Sequence, residues 1–227
     1  MNTISANLHL VRARILDACH KAGRTADSVR LLAVSKTFPP DAVALAHAAG
    51  QNAFGENYIQ EGVEKITSLA SLKLEWHCIG PIQSNKTRQV AEHFDWAQTI
   101  DRLKTAQRLD QQRPDHLPPL QVCLQVNVDG GSTKTGVSPD LLPDLAHAVA
   151  ALPRLRLRGL MCIPEPAPDF EAACEVFGRA RKLFDALNTR GLQLDTLSMG
   201  MTADLEAAIH AGSTMVRVGT AIFGDRV

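Results

Sequence analysis

Residues 29–41 read VRLLAVSKTFPPD. The first seven are a short run of branched apolar residues with no polar alternation, the pattern of a strand buried on both faces in a parallel sheet. Pro39 and Pro40 then end the extended stretch and start a helix, because proline fixes φ and is tolerated in the first helical turn. The residues between strand and helix argue against one common fold. An open doubly wound dinucleotide-binding sheet carries G-x-G-x-x-G after its first strand, and this chain has SKTFPPD there.

The same alternation runs outward in both directions. Upstream, Ile4, Leu8, Val11, Ile15 and Ala18 recur every three or four residues and predict one helix ending near Gly23. Downstream, strands are expected at 53–56, 75–79, 96–100, 120–128, 155–161, 196–198 and 215–218. Helices are expected at 59–69, 86–93, 102–112 with Asp101 as cap, from a cap around Ser138 and Pro139, at about 169–188, and at 202–211 with Thr202 at its start. Links this short do not let strands return antiparallel, so the sheet is parallel. Eight strand–helix units close as an α/β fold of the (β/α)8 TIM-type barrel class, here with an extra N-terminal helix. No Pro/Gly/Ser-rich linker interrupts the series, which predicts one domain over residues 1–227.

Composition narrows the partners. The 227 residues carry 24 Lys and Arg against 24 Asp and Glu, so no global field draws a polyanion, and neither nucleic acid nor a membrane surface is an expected partner. Arg154, Arg156 and Arg158 alternate with leucines and read as the solvated start of a strand. No apolar run approaches the roughly 20 residues that span a bilayer, and MNTISANLHLVRARIL lacks the pattern of a secretory signal. A cytoplasmic monomer is the expectation. Cys19, Cys78, Cys123, Cys162 and Cys174 are odd in number and form no C-x-x-C pair, which predicts buried reduced thiols and no metal site.

Barrels of this type place functional groups at the C-terminal ends of their strands. There the chain puts Lys36, Glu56, Asn57 and Arg217. The last two strands end in SMGMT and RVGT, and the loops after strands seven and eight are where such barrels bind phosphate. Ser198, Gly200, Thr202, Gly219 and Thr220 would supply backbone and hydroxyl donors, with Arg217 as a fixed positive charge. Lys36 follows an apolar strand, and a lysine amine in partly apolar surroundings is a nucleophile toward aldehydes. The other lysines fall mostly on helices or their flanks and read as solvated, with Lys86 and Lys134 in loops on the functional side. A phosphorylated aldehyde satisfies both halves of the site: either pyridoxal phosphate or the substrate of a sugar-phosphate aldolase.

Six ordered stretches, AVSKTFP, AFGENYIQE, WHCIGPIQSNK, VNVDGGSTKTG, LSMGMTADLEAAI and MVRVGTAIFG, resemble the signatures of the pyridoxal phosphate homeostasis proteins, the YggS/PROSC family. The similarity spans essentially the whole chain and extends to the barrel domain of alanine racemase. It implies that Lys36 carries pyridoxal 5'-phosphate (PLP) as a Schiff base. It also implies that Ser198, Gly200, Thr202, Arg217, Gly219 and Thr220 hold the phosphate and that Asn57 lies beside the cofactor. Lys134 matches a lysine linked to secondary cofactor binding, while His77 and Met161 are candidate lining residues, with a satisfied core histidine the plainer reading of His77. Racemisation needs an acid or base on both faces of the substrate carbanion. In alanine racemase the second is a tyrosine from another domain; here the chain has one tyrosine, Tyr58, and eight barrel units use up its length. The expectation is therefore a non-catalytic PLP-binding protein that passes the cofactor to PLP-dependent apoenzymes, with a weak amino acid racemase as the alternative.

Overall fold

The computed structural model describes residues 3–130 and 135–224. Its strands are β1 (Arg30–Val34), β2 (Ala53–Glu56), β3 (Glu75–Cys78), β4 (Trp96–Ile100), β5 (Leu120–Gln125), β6 (Leu155–Met161), β7 (Thr196–Ser198) and β8 (Met215–Val218). Its helices are α1 (Ile4–Lys21), α2 (Pro40–Ala48), α3 (Ile59–Ser68), α4 (Thr87–His93), α5 (Leu103–Gln112), α6 (Leu142–Ala150), α7 (Phe170–Thr189), α8 (Leu205–His210) and α9 (Thr220–Phe223). Each strand pairs in parallel with the next, and β8 closes on β1 with Arg30 opposite Met215 and Ala33 opposite Val218. The expected (β/α)8 barrel is the fold observed.

Strand side chains alternate between two buried surfaces, which is why the strands read as continuous apolar runs. Ala33, Phe54, Cys78, Leu160, Leu197, Val216 and Val218 join the large core between sheet and helices. Leu32, Val34, Ala53, Ile79 and Met215 form a separate cluster, and Trp96, Cys123 and Met161 a third. Helix α1 starts at Thr3, whose Oγ1 accepts from Ala6 N at 3.2 Å. It buries Leu8, Val11, Ile15, Ala18 and Cys19, packs against α8 and α9, and is tied there by the Arg14–Glu206 ion pair at 2.8 Å and an Asn7 bond to Ile222 O.

Five local expectations change. Arg102 takes the cap position of α5 in an extended conformation, which leaves Asp101 one residue too early; its carboxylate accepts from Arg102 Nε instead. Helix α6 starts at Leu142 because Val137 bridges to Val126 beside the barrel, and 138–141 are spent turning back. The same bridge takes over the tail of the expected 120–128 strand. Helix α8 starts at Leu205, and Asp204 Oδ1 caps the preceding turn by accepting from Met201 N. Finally, Arg158 is not simply solvated: it pairs with Asp195 at 2.7 Å and lies over the Trp96 ring at 5.0 Å.

Candidate functional site

At the C-terminal mouth of the barrel lies a cavity of about 300 Å³, at the lower end of the range for small-molecule sites. Lys36 reaches it from the β1–α2 loop, Asn57 from the end of β2, Thr202 from the β7–α8 loop, Arg217 from β8, and Gly219 and Thr220 from the start of α9. Val34, Phe38, Ile79, Ile163, Met201 and Ala203 add apolar wall. Among the described residues no Asp, Glu, His, Cys or Tyr lines it. The donor set is therefore an amine, a guanidinium, two threonine hydroxyls, an amide and backbone, which suits an anion carrying an electrophile. A second cavity of about 310 Å³ adjoins across Asn57, Ile79 and Ile163, and its one carboxylate, Asp101, is paired with Arg102 at 2.9 Å.

Two of the phosphate candidates do not line the cavity. Ser198 is fully buried, and its Oγ accepts from Arg217 Nη1 at 2.8 Å while donating to Gln98 Oε1 at 2.7 Å. Gly200 sits behind the loop with φ +95° and accepts from Arg217 N at 2.9 Å. Both act on the site through Arg217. Its Nη1 also donates to Ser198 O at 2.7 Å and its Nη2 to Cys162 O at 2.9 Å, so the ends of β6, β7 and β8 fix the guanidinium. Burial draws the Arg217 pKa below the usual arginine value.

From Ser198 a directional chain crosses the barrel interior. Gln98 Nε2 donates to His77 Nδ1 at 2.8 Å, and His77 Nε2 lies 2.7 Å from Glu75 Oε1. Burial lowers the His77 pKa, so the neutral ring accepts at Nδ1 and donates at Nε2. Burial alone would raise Glu75, but the hydrogen bond from His77 and the charge and hydrogen bond of Arg30 outweigh it and hold the carboxyl at about 2. Each link from Arg217 to Glu75 donates in the same sense, the arrangement in which hydrogen bonds polarise one another.

Lys65, read from sequence as solvated, is 3% exposed and forms the other buried polar centre. Its Nζ donates to Ser35 O at 2.7 Å, Glu56 Oε1 at 2.8 Å and Glu61 Oε1 at 2.6 Å. Burial pushes the Glu56 carboxyl up, against the pull of Lys65 and of the Ser35 hydroxyl 2.6 Å away. Close packing also shapes the neighbouring wall: a Cβ on Gly80 would sit 2.0 Å from Asn57 O, so only glycine lets the β3 loop press on the backbone that presents Asn57.

Residues 7–227 match the alanine racemase N-terminal domain family. The pyridoxal phosphate homeostasis protein of Pseudomonas aeruginosa is 59% identical over 226 residues, covering 100% of this chain and 97% of its own. The chain belongs to the pyridoxal phosphate homeostasis protein family. The family member from Escherichia coli K12 is 55% identical over 229 residues, covering 100% of this chain and 98% of its own. Among solved structures, PipY of Synechococcus elongatus with PLP bound is 35% identical with a TM-score of 0.85, covering 98% of this chain and 100% of its own. Alanine racemase of Clostridium difficile has a TM-score of 0.72 at 14% identity, covering 93% of this chain and 56% of the racemase, and shares the barrel.

Measured against this homeostasis-family fold, the remaining sequence candidates separate cleanly. His77 is a satisfied core histidine stacked on Trp96 at 5.0 Å, and Met161 is buried with Trp96 and Cys123. Tyr58 is 55% exposed and does not line the cavity. Lys134 lies outside the described residues. Of the cysteines, Cys19, Cys78, Cys123 and Cys162 are buried and Cys174 is partly exposed. No helix of the described residues is long and apolar enough to cross a membrane.

Proposed function

We propose that the chain binds PLP in the barrel-mouth cavity, holds it covalently through the Lys36 amine, and serves intracellular PLP homeostasis with little or no turnover. The observation that carries this reading is the pairing in one cavity of Lys36 with Thr202, Arg217, Gly219 and Thr220, in a chain 59% identical to a protein named for PLP homeostasis.

Bound PLP supplies an aldehyde that captures amines and a ring that withdraws electrons from an attached carbon. The protein's part is to hold it. Lys36 would provide the amine, Gly219 and Thr220 with Thr202 would provide backbone and hydroxyl donors to the phosphate, and Asn57 would supply an amide to the rest of the cofactor. Arg217 gives the wall a positive charge that cannot swing away, because Ser198 and Cys162 hold its Nη groups. The second base that two-base racemisation requires has no counterpart among the described lining residues, where Lys36 is the one group suited to moving a proton. Release to PLP-dependent apoenzymes, as a monomer in the cytoplasm, completes the reading.

The test is direct. Purified protein given PLP should be yellow, borohydride should bleach the visible band and leave the cofactor's mass on the Lys36 peptide, and Lys36→Ala should do neither. L-Alanine in deuterated water should gain deuterium at Cα far more slowly than about 1 per second. Exchange with inversion at or above that rate makes the chain a racemase and overturns the binder reading.

A further inference from the structure

The backbone on both sides of Lys36 is held by one cluster of charges on the far side from the cavity. Residues 35–38 form a tight turn closed by Phe38 N donating to Ser35 O at 3.1 Å. Thr37 occupies its third position with φ +67°, a left-handed conformation that such turns reserve for Gly or Asn and that a β-branched residue adopts only at a cost. Something must offset that cost. Thr37 N donates to Glu61 Oε1 at 2.6 Å, a short charge-assisted bond, and Lys65 Nζ holds the same oxygen at 2.6 Å. Lys65 spans the turn to Ser35 O, while Ser35 Oγ is bound to Glu56 Oε1.

Ser35 and Thr37 are thus fastened to α3 and β2 from behind, and Lys36 between them faces the cavity. The outer face of the turn is a surface groove lined by Thr37, Glu61 and Lys65, so the clasp lies between two hollows. A network serving stability alone would have no reason to enforce a strained conformation at the residue next to Lys36. We propose that Glu61, with Lys65 and Glu56 behind it, is a clasp that holds the Lys36 turn in the conformation that presents its amine to the cavity; this rests on the reading of Lys36 as the attachment point for PLP.

Glu61 is 29% exposed, so its substitution spares the core. Three variants decide the matter: Glu61→Ala, which removes the clasp; Thr37→Gly, which removes the strain; and the two combined. Each is measured by thermal unfolding, by the PLP concentration that half-saturates the visible band, and by amide exchange at residue 37 in the cofactor-free protein. Glu61→Ala should raise the half-saturating PLP concentration and speed exchange at Thr37, each by about tenfold, as expected for loss of a charge-assisted bond. The combined variant should return to within about threefold of wild type, because glycine takes φ +67° without strain. PLP binding within about twofold of wild type in Glu61→Ala would overturn the clasp, as would a double variant no better than Glu61→Ala alone. A wild-type protein with no visible band would refute the attachment reading instead, and exchange at Thr37 would still decide whether Glu61 holds the turn.

Discussion

Replacing Arg217 with methionine tests whether the buried guanidinium joins the barrel's last strands to the function of its cavity. Methionine roughly matches the stem in length and can fill its space, so the effect comes from lost hydrogen bonds. Of the three acceptors, Ser198 O keeps its bond from Cys162 N at 3.2 Å and Ser198 Oγ keeps its bond to Gln98, whereas Cys162 O loses the partner that held it at 2.9 Å. One orphaned buried carbonyl costs about 1–3 kcal/mol. The charge assistance lost at the other two acceptors is offset by no longer burying a guanidinium without a carboxylate. The net expectation is therefore about 1–3 kcal/mol, which for a domain of this size lowers Tm by roughly 2–12 °C. Loss of the fixed charge should also raise the PLP dissociation constant by about tenfold or more. Scanning fluorimetry without cofactor gives the first quantity and titration of the visible band the second. Arg217→Lys should not restore either, since an ammonium cannot span Ser198 and Cys162 as the planar fork does. A Tm unchanged in Arg217→Met would refute the structural role, and an unchanged dissociation constant would refute the role in holding the cofactor.

Two further perturbations address the scaffold. The Glu75 carboxyl is held at about 2, below its ordinary 4.5, so it contributes stability that is fully present above about pH 4.5 and lost as pH falls toward 2, at most about 3 kcal/mol. Denaturant unfolding of wild type and Glu75→Gln should differ by a constant amount near neutrality, with the difference shrinking steadily as pH falls from about 4.5 toward 2; a difference undiminished at about pH 2.5 contradicts the linkage. Gly200 has φ +95°, and a Cβ there would lie 2.5 Å from Ala208 Cβ. Gly200→Ala should destabilise by about 2–3 kcal/mol from strain and contact together, with Ala208→Gly recovering only the contact part; equal stability of Gly200→Ala and wild type would show that the loop relaxes freely.

The barrel was legible because its strands are buried on both faces and its connections are short, two features that periodicity records directly. Strand ends then exposed Lys36, Asn57 and Arg217, since polar residues ending apolar strands have few structural excuses. Cap positions were less legible. Asp101 and Thr202 are good cap residues at plausible places, but a single extended or turning residue, Arg102 or Asp204, shifts the helix start and is invisible to composition. Ser198 was mislocated for a related reason: strand alternation places a side chain inside the barrel, yet depth along the axis decides between lining a cavity and backing a residue that does. Lys65 was the largest miss. Its i, i+4 pairing with Glu61 looks like an ordinary surface pair, and only the approach of β1 and β2 turns it inward toward Ser35 and Glu56. Gly62 was the one available signal, since a Cβ there would meet Phe94 Cζ at 2.6 Å and hold α3 away.

The titratable groups around the barrel mouth share an arrangement that bears on why this cavity holds a ligand. Glu56 and Glu61 share Lys65, and Asp101 pairs with Arg102. These carboxylates are engaged behind or beside the wall, and among the described residues the lining carries one amine and one guanidinium. An acid or base poised for catalysis must be able to take up and release a proton at the reacting atom, and among the described residues no carboxylate lines the cavity. The lining is well suited to a different task, because its amine and guanidinium offer positive charge to a phosphate and the guanidinium is fixed by Ser198 and Cys162. Under the proposed function, the polar network of this barrel keeps the binding groups still, where a racemase would place a proton-transfer group at the cavity wall.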